Sequence, residues 1–431
     1  MTQSKIGIMK ELIEALFPIC RSISGDGVRQ SLARLQEVIP LDIVEVPTGT
    51  QVLDWQVPRE WNVRDAYIKD GTGARIIDFK ENNLHLLSYS SPVNRTMSLE
   101  ELKPHLFSLP EQPDLIPYRT SYYNENWGFC LPHNQLLGLA DGDYEVVIDS
   151  SLEDGHLSYG ECFLPGTSSQ EVLISTHICH PSLCNDNLSG IAVAAYLAKS
   201  LQGRNHKYSY RFLFLPVTIG AITWLARNEK TVGNIRYGLV ASNLADQGGF
   251  TYKKTRSGCA GIDRIVEYVL RTSNVRHEIR EFVPYGYDER QYGSPGFDLP
   301  VGSLSRTPYG EYDDYHTSAD NLSFISHNNL QQSLDIYENI VASLESNRYF
   351  RNLLPKGEPQ LGRRGLYKKV GGETDQKESQ MALLWVLNLS DGRNSLLDIV
   401  EISGLNAAAV TQAAEILVSH DLLEEIPVAE S

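Results

Sequence analysis

Two histidines and two aspartates stand out by type and placement: His177 and Asp186 in STHICHPSLCNDNLSG, Asp246 in ASNLADQGG, and His316 in YHTSADN. Imidazole nitrogen and carboxylate oxygen are the ligand types that zinc takes. Residues far apart in sequence can meet on one ion when each sits at a strand or loop end. His177 closes the apolar run EVLISTH, Asp186 precedes a helix, Asp246 closes YGLVASNLAD, and His316 lies in the polar stretch DDYHTSADN. If two ions bind, Asp186 is the natural bridge, since one carboxylate can offer an oxygen to each. Taken singly, each residue also has a plainer reading, because a strand-end histidine hydrogen-bonded in a loop is commoner than a ligand. His180 is expected to line the site rather than touch metal, and Cys179 and Cys184 read as buried thiols.

Positioning such residues requires a sheet. EVLISTH (171–177), YSYRFLFLP (208–216) and YGLVASNLAD (237–246) are nearly continuous apolar strands, and the helical patterns GIAVAAYLAKSL and TIGAITWLARN lie between them. Alternation of buried strands with helices implies an α/β fold with a mainly parallel, mixed sheet and helices on both faces. Sites in such sheets form at the C-terminal ends of strands, where these polar residues fall.

The texture differs between residues 51 and 165, where short runs of strand propensity are separated by proline and glycine, as in a small inserted β-rich domain. The core is then residues 1–50 and 166–350. A glycine- and proline-rich linker is expected over 351–375, and residues 376–431 carry the three-helix pattern of a winged-helix module. That module has a local charge of −7 and the whole chain −16. A DNA-reading helix needs bases to meet phosphate, so nucleic-acid binding is not expected, and neither is an anionic membrane. The helical module offers a surface for a homodimer. No stretch of eighteen or more apolar residues occurs, and six scattered cysteines do not make a disulfide scaffold. A cytoplasmic protein is the simplest expectation.

The motifs STHICHPSLCNDNLSG, LPVTIG, ASNLADQGG and YHTSADN together resemble the zinc aminopeptidase-like superfamily, which also contains glutaminyl cyclases. VPREWNVRDAYI, LLSYSSPV, SLPEQPDLIPYRTSYY and NWGFC are similar to a bacterial branch named for polysaccharide biosynthesis, with an inserted β domain and a C-terminal winged helix. The resemblance spans nearly the whole chain. It implies that His177, Asp186 and Asp246 hold one zinc ion, with Asp186 bridging to a second ion at His316. It also implies a Glu-Glu pair after a strand, the first member being the general base; here the pair is Val217-Thr218. One zinc ion is therefore expected rather than two.

Valine cannot carry a proton to a leaving amine, and loss of a positioned acid or base costs roughly 10²–10⁴ in rate. Glu311 and Asp313, just before His316, are the substitute catalytic candidates, beside a plainer reading as solvated loop acids. Lys253 and Arg256 are candidates to meet an anionic substrate group, Arg119 and Tyr122 to form a rim, and Asp320 to orient an imidazole. The expected activity is metal-dependent hydrolysis of a small amide, an aminoacylated metabolite or a short peptide. An acyltransferase or cyclase, or a catalytically impaired binding protein, remains the alternative.

Overall fold

A computed structural model describes residues 5–366 and 374–426. The chain divides into two units, Met1–Glu338 and Asn339–Ser431.

The first unit is organised on an eight-stranded sheet. Its strands are β1 (Asp42–Pro47), β2 (His156–Leu164), β3 (Glu171–His177), β4 (Ser209–Leu215), β5 (Ile235–Ala241), β6 (Phe250–Lys253), β7 (His277–Arg280) and β8 (Val301–Ser305). They lie in the order β1-β2-β4-β3-β5-β8-β6-β7. The four central strands β4, β3, β5 and β8 run parallel, and β2 and β6 join them antiparallel on either side. Every residue of β3 is buried, which explains why EVLISTH reads as a continuous rather than an alternating strand. The helix Gly190–Leu201 is apolar nearly all round and is buried along most of its length. It cannot be a surface helix with one wet face.

Strands Glu60–Lys69, Arg75–Asp78, Val93–Ser98 and Asp143–Glu153 form a separate antiparallel sheet. This is the β-rich region legible in the sequence. Its last expected segment behaves differently: β2 returns to the main sheet and pairs with β1 and β4. The helix Asp26–Gln36 is tied to this region through Arg29, whose Nη1 donates to Glu60 Oε2 at 3.0 Å.

The second unit has helices Thr374–Leu389, Leu396–Ser403 and Ala407–Ser419 around a core that includes Phe350, Val386, Ile399 and Leu417. Ser395 caps the middle helix in a reciprocal box with Asp398, and Gly404 ends it at φ 67°. Tyr349–Asn352 is the central strand of a three-stranded antiparallel sheet. The stretch read as a linker therefore begins inside a strand, and residues 367–373 of it lie outside the described residues.

Candidate metal centre

Asp186 is the hub. It sits in the irregular turn Cys184–Ser189 that leads from β3 into the helix Gly190–Leu201, and it is fully buried. Its Oδ1 lies 2.8 Å from His177 Nε2, and its Oδ2 lies 3.0 Å from His316 Nε2. His180 Nε2 is 3.8 Å from Oδ2. Among the described residues, His177, His180 and Asp186 form a group whose ligand atoms all lie within 4.8 Å of one another.

Burial pushes the Asp186 carboxyl up, but the neighbouring His180, His177 and His316 outweigh it and hold the group well below the usual carboxylate range. Burial also holds the His180 imidazole well below its ordinary value, which leaves it neutral with a lone pair to offer. A single ionised carboxylate facing three imidazoles is a nitrogen and oxygen donor set that fits zinc.

Several neighbours fix these ligand groups. The Tyr287 hydroxyl is 3.1 Å from Asp186 Oδ1 and 2.9 Å from Asn243 Oδ1, and the tyrosine ring stacks on His177 at 4.6 Å. Burial raises the Tyr287 phenol well above its ordinary range, with Asp186 adding to the shift, so it stays a donor. Asp320 accepts the backbone N–H of Asn185 at 2.6 Å, of Asp186 at 2.9 Å and of Cys184 at 3.1 Å. It orients the carboxylate's turn, not an imidazole. Burial lifts the Asp320 carboxyl to about 7 against the pull of those N–H groups. Arg21, buried, donates to the His180 carbonyl at 2.8 and 3.0 Å.

His316 has φ 56° and Asn243 φ 52°, left-handed values that cost a side-chain-bearing residue energy and persist where surrounding contacts enforce them. For His316 those contacts come from the inserted region. Tyr118 N–H donates to the His316 carbonyl at 2.7 Å, and the Tyr118 ring lies 5.0 Å from the His316 ring. Tyr315 stacks on the imidazole at 3.9 Å.

Asp246 does not join this cluster. Its Oδ1 accepts from Thr307 Oγ1 and from Gly248 N at 2.6 Å each, and its Oδ2 accepts from Asn185 Nδ2 at 3.1 Å. The carboxylate braces the loops around the site. The physical reason is length: β5 ends at Ala241, so Asn243, two residues on, reaches the Tyr287–Asp186 contact. Val217 is half-buried at the junction of β4 and the helix Ile219–Asn228, with its N–H 3.4 Å from Cys179 Sγ. Cys179 and Cys184 are free and buried; burial pushes the Cys179 thiol up to about 12.

The substitute acids lie elsewhere. Glu311 is exposed and bound to Arg280, with Oε2 2.9 Å from Nη2. Asp313 is exposed, and its backbone carbonyl accepts from Gln112. Arg256 pairs with Asp298 at 2.9 Å, and Lys253 is held by Glu289 and the Tyr285 carbonyl. Arg119 is exposed. Tyr122 stands one step back, its hydroxyl 2.8 Å from that of Tyr118. Sequence reasoning missed Tyr287, Tyr118, Asn243 and Arg21. The adjacency of Asn243 to the end of β5 was the one local signal available.

Residues 10–347 match the family described as domain of unknown function DUF4910, and residues 348–425 match a winged helix-turn-helix family. A Clostridium acetobutylicum protein named for polysaccharide biosynthesis and an aminopeptidase-like domain is 53% identical over 418 residues, covering 97% of this chain and 96% of that one. The crystal structure of a C. acetobutylicum protein superimposes with a TM-score of 0.91 at 51% identity, covering 98% of this chain and 96% of that one. The zinc aminopeptidase BSAP of Bacillus subtilis shares the fold, with a TM-score of 0.56 at 12% identity over 79% of this chain and 94% of that one. This chain belongs to the DUF4910 family, an aminopeptidase-like α/β domain followed by a winged helix-turn-helix domain.

Proposed function

We propose that this protein is a metal-dependent, aminopeptidase-like hydrolase that cleaves an amide bond in a small metabolite or short peptide. One observation carries the reading: three imidazoles and a tyrosine converge on a fully buried Asp186 at the C-terminal ends of parallel strands. His177, Asp186 and one or both of His180 and His316 would hold a single zinc ion. When bound, zinc supplies Lewis-acid polarisation of an amide carbonyl and acidifies water near neutral pH. The remaining chemistry falls to the chain. Tyr287, kept protonated by burial, steadies the Asp186 carboxylate through its hydroxyl. Asp320 and Arg21 keep the ligand-bearing loops in register.

The name of the C. acetobutylicum relative directs the search toward substrates from polysaccharide biosynthesis. A small-molecule partner also agrees with the acidic chain, and the helix Ala407–Ser419 carries no lysine or arginine to meet phosphate. Among the described residues, no helix is long and apolar enough to cross a membrane.

Val217 favours a second reading, in which the cleft runs an acyl transfer or only binds a ligand, because a valine side chain cannot accept a proton. Elemental analysis of the purified protein, followed by turnover of a panel of aminoacyl amides, tests both. The hydrolase reading expects about one zinc per chain and amide cleavage abolished by a chelator. Full zinc occupancy with no cleavage across the panel, or amide formation in its place, would overturn it.

A further inference from the structure

The edge of the sheet beside the metal centre carries residues that a covered α/β sheet does not ordinarily bury. β6 and β8 pair antiparallel with Thr251 opposite Ser305 and Lys253 opposite Ser303. Successive strand residues alternate faces, so these four share one face, while Tyr252 and Leu304 point to the other and are fully buried. Ser242, just past the end of β5, extends the same polar row; it is fully buried and its hydroxyl has no hydrogen-bond partner among the described residues. Buried hydroxyls at positions that normally hold valine or isoleucine require a reason.

They line a cavity of about 430 Å³, within the range of small-molecule sites. Tyr309 and Tyr287 add aromatic walls, their rings 5.3 Å apart and nearly perpendicular. Tyr287 is the same residue whose hydroxyl reaches Asp186, so the cavity adjoins the metal centre.

The cationic groups around the cavity are already paired. Lys253 is paired with Glu289 and donates to the Tyr285 carbonyl at 2.7 Å. Arg280 is held by Glu311 and by Glu278, each at 2.9 Å through Nη2. Glu281 is paired with Lys254 at 3.3 Å. Among the described residues around the cavity, no cationic charge is left over to select a phosphate or carboxylate. An apolar side chain in the cavity would leave the hydroxyls, Ser242 first, without partners, a cost that sites built for hydroxyl groups use to reject apolar analogues.

We propose that this cavity is a subsite for a neutral polyhydroxylated group, of the size of a sugar ring, on the substrate whose amide is presented to Asp186. The proposal takes over the amide-cleavage reading of the adjoining cluster and adds the substrate class. Aromatic faces suit the C–H face of a sugar ring, and the serine and threonine hydroxyls suit its edge.

Saturation-transfer NMR on the full chain, treated with a chelator so that no turnover intervenes, tests this with methyl N-acetylglucosaminide and leucinamide as probes. The glycoside is expected to receive saturation at its ring protons. The isosteric Thr251→Val variant and the cavity-filling Ser303→Leu variant are each expected to weaken that binding by about tenfold. Thr251→Val, which changes shape little, keeps the test decisive if Ser303→Leu does not fold. Saturation of leucinamide alone, or glycoside binding that neither variant alters, would overturn the subsite. Glycoside binding in a protein that carries zinc yet cleaves no amide would instead overturn the hydrolase reading and leave the subsite standing.

Discussion

The hydroxyl of Tyr287 lies 3.1 Å from Asp186 Oδ1, so the central carboxylate of the site is steadied by a phenol that comes from a loop a hundred residues downstream. The same hydroxyl is 2.9 Å from Asn243 Oδ1. The hydroxyl thus stands between the β3 side of the site and the end of β5, where the sequence suggested that a second carboxylate would close the ligand set; its single proton goes to one of the two oxygens.

Replacing Tyr287 by phenylalanine keeps the ring that stacks on His177 and removes only the hydroxyl. Groups that orient metal ligands typically contribute 10- to 100-fold to affinity, so zinc affinity should fall by about that factor in chelator competition. Stability in the presence of chelator should fall by only about 1 kcal/mol. An unchanged zinc affinity would remove Tyr287 from the supporting shell.

Val217→Glu asks whether a missing base limits the reaction. Val217 is half-buried at the start of the helix Ile219–Asn228, so a carboxylate there has room to reach solvent. Turnover of an aminoacyl amide should rise roughly 10²–10⁴-fold if the native chain lacks a positioned base. Steady-state kinetics showing no gain would mean that another group already moves the proton.

Asp320→Ala should damage the site without touching a ligand side chain. It leaves the N–H groups of Cys184, Asn185 and Asp186 without their acceptor inside a buried turn. A loss of about 3 kcal/mol in denaturant unfolding is expected, together with weaker zinc binding. Full stability in the variant would mean that the turn holds its shape by packing alone.

Acid sensitivity should come in part from the joint between the helix Asp26–Gln36 and the inserted sheet. The Arg29 guanidinium, with help from the His156 N–H at 2.9 Å, holds the Glu60 carboxyl down at about 2 against an ordinary 4.5. A depressed carboxyl stabilises the fold fully above its unfolded value and loses that contribution as pH falls from about 4.5 toward 2. Arg29→Met should lower stability near pH 7 by about 1 kcal/mol, solvent screening the pair, and flatten this acid limb. Urea midpoints measured at pH 6 and pH 3.5 would show it; parallel losses in both proteins would rule the pair out as the cause.

The sheet was legible because burial writes itself into composition. EVLISTH, YSYRFLFLP and YGLVASNLAD carry apolar residues at consecutive positions, and so on both faces, the mark of a strand covered on both sides. The same rule exposed the anomalous hydroxyls of β6 and β8 only once their pairing was known, since TYK and SLS are too short to reveal which face they share. Boundaries were less legible. β2 carries the same strand signals as its neighbours in the inserted region, and partner choice, which local propensity does not encode, returns it to the main sheet.

Within the site, the sequence by itself determined His177, His180, Asp186 and His316 as chemically notable, because imidazoles and acids at strand and loop ends are conspicuous by type. Tertiary structure alone decided which acid meets the imidazoles. Asp246 and Asn243 are three residues apart, and the path of the chain after β5 turns the aspartate toward Thr307 and the asparagine toward Tyr287. Tyr287 and Tyr118 were invisible for the same reason: a tyrosine's role depends on what its ring and hydroxyl meet, and both meet partners more than a hundred residues away.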